Sequence, residues 1–165
     1  MDAMRIGLGH DTHRLAGGGP LRLGGVDLAA DCHAVGHSDA DALLHAVTDA
    51  LLGAAALGDI GQLFPDGDPA NRDRDSAEML QIACDRVRAA GWEIANLDCV
   101  VSLEAPKLAP YRESIRRRLA EMLGIGADRI GLKAKTGEGV GPIGRGECLA
   151  AECVALLVSA PRPGG

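Results

Sequence analysis

The stretch SDADALLHAVTDALLGAAALG, residues 38–58, decides the fold. Leu43, Ala46, Val47, Ala50, Leu51 and Ala54 recur at spacings of three and four, which puts them along one side of a helix. Ser38 suits the N-cap, and Asp39 and Asp41 favour the positive end of the helix dipole. Asp41, His45 and Asp49 follow at i, i+4 and i+8, a polar stripe on an otherwise apolar helix.

Working outward, MRIGLGHDTH (4–13) reads as a strand, AGGGP (16–20) as a turn and LRLGGVDL (21–28) as a second strand, together a β-hairpin. Beyond the helix, GDIGQLFPDGDPANRDRD (58–75) is a loop rich in Asp, Gly and Pro. DSAEMLQIACDRVRAAG (75–91) opens on a D-x-x-E capping box and closes on Gly91, a second helix. EIANLDCVVSLE (93–104) is a strand, PYRESIRRRLAEMLG (110–124) a helix stopped by Gly124, and IGLKAKT (130–136) and CLAAECVALLVSA (148–160) are strands. This order predicts an α+β fold: a mixed β-sheet with an N-terminal β-hairpin, three helices covering one face, and the other face packed against further copies of the chain. Residues 1–159 form a single domain and 160–165 a frayed tail.

Composition agrees with one domain. The chain has 165 residues, 47% of them apolar and only 2% aromatic, so its core is built from Leu, Val, Ile and Ala. With 23 acidic against 17 basic residues, the net charge of −6 argues against a nucleic-acid partner. The five cysteines are odd in number and contain no C-x-x-C pair, so they read as reduced, mostly buried thiols. No stretch approaches the roughly 18–20 apolar residues of a membrane span, and the N-terminus has no secretory pattern, so a soluble cytoplasmic protein is expected.

The strand at residues 4–13 carries the chemistry. Alternate residues of a strand share a face, so Asp11 and His13 point together while His10 and Thr12 point away. A divalent metal needs a third ligand, and His45 in the middle of the polar stripe is the candidate. Asp, His and His with a fourth position open match a catalytic zinc site rather than a closed structural one. A polar turn at Asp11–His13 and a surface histidine at His45 are the plain alternatives.

RIGLGHDTHRL, LGGVDL, GHSDADALLHAVTDALLGAAALGDIGQLFPDGDP, EAPKLAPY and LKAKTGEGVGPIGRGE occur in this order. The chain thereby resembles, over nearly its whole length, the 2-C-methyl-D-erythritol 2,4-cyclodiphosphate synthases of the non-mevalonate isoprenoid pathway. The resemblance implies a homotrimer that cyclises 4-diphosphocytidyl-2-C-methyl-D-erythritol 2-phosphate, with CMP leaving. It implies Zn2+ on Asp11, His13 and His45, and Mg2+ or Mn2+ with the substrate diphosphate. His37 and Thr136 match positions that stabilise the transition state, with Ser38 beside them at a phosphate. Asp59, Ile60 and Gly61 match the residues around the erythritol hydroxyls, and Phe64, Pro65, Asp66, Gly67 and Asp68 a segment covering the substrate. Ala105, Pro106, Lys107 and Leu108 match the cytosine-reading stretch. Lys107, Lys135, Thr136, Gly137, Glu138, Pro142 and Arg145 belong to the nucleotide and phosphate end, which the family draws from a neighbouring subunit.

The chain departs from the family's usual pattern at three places. Lys135-Thr136 stands where a Thr-Thr pair is common, Pro142 where a Phe linked to the trimer's central cavity is common, and Cys148 where a Gly is common. A zinc hydrolase acting on phosphates and a non-catalytic trimer binding metal or isoprenoid phosphate are the competing readings.

Overall fold

Gly7 and Gly9 share one face of the first strand, β1 (Met4–Gly17), and that face lies directly on the first helix, α1 (Ala42–Ala55). A Cβ at Gly7 would stand 1.9 Å from the carbonyl oxygen of Ala50, and one at Gly9 1.9 Å from that of Ala46. Only glycine lets two backbones approach so closely. The consequence is local and chemical: two and four residues beyond Gly9, Asp11 and His13 come to rest beside His45, the neighbour of Ala46.

The computed structural model describes residues 3–65, 67–71 and 74–160. A five-stranded sheet runs in the order β4 (Cys32–Val35), β1, β7 (Cys148–Ser159), β5 (Trp92–Ser102), β6 (Ile130–Lys135). It is mixed, with β5 and β6 parallel and the other neighbours antiparallel. α1 lies between this sheet and α3 (Ser76–Ala89), while α4 (Arg112–Leu123) packs on α3 and β6. Leu43, Leu44, Leu51 and Leu52 of α1 are fully buried, each side chain contributing about 1.5–3 kcal/mol by leaving water. Leu97, Cys99 and Val101 of β5 and Leu149, Ala151, Cys153, Ala155 and Leu157 of β7 face the same core. Alternation puts Met4, Ile6, Leu8 and Val154 on the opposite face, where they are 69, 72, 70 and 43% exposed. Among the described residues no helix is long and apolar enough to cross a membrane.

The N-terminal hairpin differs from the sequence expectation. LRLGGVDL is not one strand paired with β1 but a hairpin of its own, β2 (Leu21–Leu23) and β3 (Val26–Leu28), in a separate two-stranded sheet. Gly24 and Gly25 both have positive φ, 61° and 72°, the two-residue turn that reverses a strand most tightly. β1 pairs instead with β7 along Met4–Arg14 and with β4, a strand the sequence did not reveal, along Arg14–Gly17.

The N-cap also moves. Asp41, not Ser38, caps α1, accepting the Leu44 N–H at 3.1 Å. The same carboxylate accepts the N–H groups of Gly24 and Gly25 at 2.8 and 2.7 Å, so the tight turn and the helix start share one acceptor. Residues 58–75, expected as plain loop, contain α2 (Ile60–Leu63) and a 3-10 turn at Pro69–Asn71. Asp75 caps α3 by accepting from Ala77, and Glu78 pairs with Arg74 at 3.2 Å instead of completing a capping box. A short helix, α5 (Gly141–Gly144), lies in a segment for which no element was expected. Cys84, Cys99 and Cys153 are buried, Cys32 and Cys148 half-buried, and all are free. Of the expected frayed tail, Ala160 donates to the Gly91 carbonyl at 2.9 Å, and 161–165 lie outside the described residues.

Gly9→Ala is expected to force β1 off α1 and to cost about 3 kcal/mol or more of stability, as over-packing of a tight contact does. Chemical denaturation measures this, and a loss below about 0.5 kcal/mol would contradict the close-contact account.

Candidate active site

Three side chains from two elements converge at the β1–α1 contact. Asp11 Oδ2 is 2.9 Å from His13 Nε2 and 2.9 Å from His45 Nδ1, and the two nitrogens are 3.2 Å apart. Ligands of a tetrahedral zinc, at about 2.0–2.1 Å from the ion, stand about 3.3 Å from one another, so the triangle fits that ion with a small expansion. One carboxylate oxygen and two imidazole nitrogens are also the donor set that zinc takes in open, catalytic sites. Among the described residues this is the only group of three such ligands within 4.8 Å of one another.

The surroundings prepare these atoms. His13 Nδ1 lies 3.0 Å from the Val35 carbonyl, which can only accept, so Nδ1 carries a proton and Nε2 is the nitrogen turned to the triad. Burial raises the Asp11 carboxyl, but hydrogen bonds and charge from His13 and His45 outweigh it and hold the group well below the usual carboxylate range. The same hydrogen bond to Asp11 raises His13 above the ordinary histidine value. Both shifts describe a carboxylate that pulls positive charge toward this point.

The triad forms part of the wall of an open cavity of about 930 Å³. His37, Ser38, Ile60 and Gly61 line it, as do Phe64, Gly67 and Asp68. Asp66 lies outside the described residues. Asp59 and Pro65 are not part of the lining; Asp59 spends its carboxylate as the α2 N-cap, accepting from Gln62 at 2.8 Å. Asp49, the last member of the polar stripe, accepts the Ile60 N–H at 2.7 Å and so pins α2 to α1; burial raises its carboxyl above the ordinary value. Its role is to hold one cavity wall. Met79 of α3 is buried and also lines the cavity.

The remaining predicted residues gather elsewhere. Ser102 on β5 lies opposite Lys135 on β6, and the chain beyond both ends forms a second cluster. Gly137 N–H donates to Glu104 at 2.8 Å, and the Thr136 hydroxyl donates to Glu138 at 3.2 Å. Arg145 pairs with Glu147 at 2.7 Å. Ala105, Pro106, Lys107 and Leu108, with Lys135, Thr136, Gly137, Glu138, Pro142 and Arg145, are absent from the lining of the triad's cavity. The row Thr12, Ala150, Ser102, Lys135 runs across the sheet from the triad's strand to theirs. The triad's cavity therefore brings together only part of the expected site residues; Glu104 and Gly137 lie at the ends of β5 and β6, while Glu147, the partner of Arg145, accepts the Leu15 N–H of β1 at 2.9 Å.

The model described as the YgbB family matches residues 4–158. The 2-C-methyl-D-erythritol 2,4-cyclodiphosphate synthase of Rhodopirellula baltica is 57% identical over 155 residues, covering 94% of this chain and 93% of that one. The chain belongs to this family. A solved synthase in its CDP-bound form is 43% identical, with a TM-score of 0.86, covering 93% of this chain and 99% of that chain. The bifunctional IspDF from Campylobacter jejuni is 38% identical with a TM-score of 0.92; the match covers 96% of this chain and 43% of that longer one.

Sequence reasoning missed Val35, whose carbonyl orients His13, and Asn71 and Pro69 in the cavity wall. A backbone carbonyl leaves no trace in residue type, and only the register of β4 on β1 brings it there. Replacing Asp11, His13 or His45 by Ala should weaken zinc binding by more than the roughly 10–100-fold typical of losing an outer partner of a ligand. Calorimetric titration of metal-stripped protein measures this, with one ion per wild-type chain expected.

Proposed function

We propose that this chain converts 4-diphosphocytidyl-2-C-methyl-D-erythritol 2-phosphate to 2-C-methyl-D-erythritol 2,4-cyclodiphosphate and CMP, as a phosphorus–oxygen lyase of isoprenoid biosynthesis. The observation that carries this reading is the convergence of Asp11 Oδ2, His13 Nε2 and His45 Nδ1 on the wall of a cavity that His37 and Ser38 also line. It occurs in a chain 57% identical to a relative that bears the synthase's name.

An oxygen of the 2-phosphate attacks the β-phosphorus. The new P–O bond forms as the bond from that phosphorus to the bridging oxygen of CMP breaks, and CMP departs with the electron pair. No protein nucleophile is needed, so the work is to bring two anionic ends of a flexible molecule together and to balance their charge. Asp11, His13 and His45 would hold Zn2+, and with Mg2+ or Mn2+ accompanying the diphosphate it would supply polarisation of phosphate oxygens and charge neutralisation.

The chain's own groups do the rest. His37 and Thr136 flank the transferred phosphorus, and Ser38 offers its hydroxyl and backbone N–H to a phosphate oxygen. Ile60 and Gly61, on the short helix that Asp59 caps, face the erythritol hydroxyls, and the segment Phe64–Asp68 covers the substrate. Ala105–Leu108 read the cytosine edge through backbone groups. Lys107 and Lys135 balance phosphate charge, with Gly137, Glu138, Pro142 and Arg145 shaping that end.

Because residues 105–108 and 135–138 do not line the triad's cavity within one chain, we read the working unit as a homotrimer in which each site is completed by a neighbour. The exposure of Met4, Ile6, Leu8 and Val154 on the uncovered sheet face supports burial there by other copies. We take residues 1–159 as one domain working in the cytoplasm.

Phosphorus NMR of the protein with substrate, zinc and magnesium should show two coupled signals of a cyclic diphosphate as CMP appears, lost in Asp11→Ala. Inorganic phosphate or an acyclic product would point to a hydrolase, and unchanged substrate to a binding protein. Mixing inactive His45→Ala and Lys107→Ala chains should restore part of the activity, because some mixed assemblies contain an intact site. No recovery after verified subunit exchange would contradict a site shared between copies.

A further inference from the structure

Ser76 is a polar residue with no exposed surface, at the first position of α3. Its hydroxyl is not needed to cap that helix, since Asp75 takes the Ala77 N–H at 2.8 Å. It reaches back instead to the triad. Ser76 Oγ is 2.8 Å from His45 Nε2, the ring nitrogen pointing away from Asp11 and His13, and it also contacts Asp39 Oδ1 closely. The Ser76 N–H donates to the other Asp39 oxygen at 3.3 Å.

Proton counting decides the direction of these bonds. A hydroxyl has one proton, and a carboxylate only accepts. The Ser76 proton goes to Asp39, which leaves Ser76 Oγ an acceptor toward His45, so Nε2 must be the protonated nitrogen. Nδ1 is then the nitrogen turned to Asp11 Oδ2 and His13 Nε2, where a cation can replace any proton it shares with Asp11. Ser38 Oγ, 3.2 Å from the same Nε2, already accepts the Ala40 N–H at 3.2 Å and has lone-pair capacity for His45 as well. Asp39 is itself anchored by the Arg22 guanidinium, 3.3 Å from Oδ2, and accepts the Asp41 N–H at 3.3 Å. An ordered line thus runs from Arg22 on β2 through Asp39 and Ser76 to His45.

We propose that Ser76, oriented by Asp39, is the positioning residue that locks His45 in the tautomer and ring orientation presenting Nδ1 to a cation. It rests on the reading of the triad as a metal site. His13 is set by the Val35 carbonyl to present Nε2, so the two histidines offer opposite ring nitrogens, each selected by a different outer partner. The assignment explains a fully buried serine that its own helix does not require. It also explains why the loop carrying His37 and Ser38 is tied to α3 through Asp39 between them and the helix.

The test uses histidine 15N NMR on the whole metal-stripped protein, with zinc affinity measured by chelator competition. In wild-type protein the His45 signals should report a protonated Nε2 both before and after zinc is added, with zinc taking Nδ1 in place of any proton shared with Asp11. An Nε2 that is unprotonated, or that takes the metal itself, would overturn the proposal without any variant being made. Ser76→Ala should lose the fixed Nε2 proton and bind zinc about 10–100-fold more weakly, with Ser76→Thr recovering most of both. Wild-type affinity and an unchanged His45 signature in a folded Ser76→Ala protein would overturn it. Wild-type protein that binds no zinc would overturn the functional reading, while the tautomer still decides the role of Ser76.

Discussion

The approach of β1 to α1 is the constraint on which the rest of the structure depends. Gly7 and Gly9 face Ala46, Ala50 and Ala54, and the helix carbonyls stand where any side chain on the strand would be. Helices packed on sheets normally stand off by the depth of an aliphatic layer. Here that layer is missing along β1, so short side chains reach from strand to helix. Asp11 and His13 meet His45 directly because nothing larger than hydrogen separates the two backbones two residues earlier. The price is a core with little tolerance for volume, which suits a chain whose apolar content is mostly Ala, Val and Leu.

Carboxylates build the frame around this contact by accepting backbone N–H groups. Asp41 joins the β2–β3 turn to the start of α1, Asp49 joins α1 to α2, Asp59 caps α2, and Asp39 joins the loop at His37 to α3. Each satisfies donors that would otherwise be orphaned at a helix end or a tight turn. Together they fix the cavity wall while leaving Asp11 as the carboxylate that faces the two histidines. The polar stripe along α1 thus separates into one member of the triad, His45, and two structural acceptors, Asp41 and Asp49, a division of labour set by which backbone lies nearest.

The metal triad was legible because two periodicities cross at it. Alternation along residues 4–13 puts Asp11 and His13 on one face, and the helical repeat of residues 42–55 puts His45 in line with them. LRLGGVDL alternates apolar and polar residues on both sides of Gly24-Gly25 and so reads as one strand when that pair is passed over; the positive φ of both glycines shows that it folds on itself. The α1 cap was displaced by three residues because Ser38 and Asp41 both satisfy the local preference, and the choice between them was made by the distant turn at Gly24. Ser76 left no signal, since a serine after a capping aspartate is ordinary at a helix start. Lys107, Thr136 and Arg145 were reachable only through resemblance, because their proposed counterpart lies on another copy and no pattern within one chain records it.

The β1–α1 contact brings three defined ligand atoms together at one point. The most direct measurement is anomalous diffraction at the zinc edge from crystals of the metal-loaded protein. The account predicts one ion per chain bonded to Asp11 Oδ2, His13 Nε2 and His45 Nδ1, with its remaining position open to the cavity. An ion held by other residues, or bonded through His45 Nε2, would contradict it.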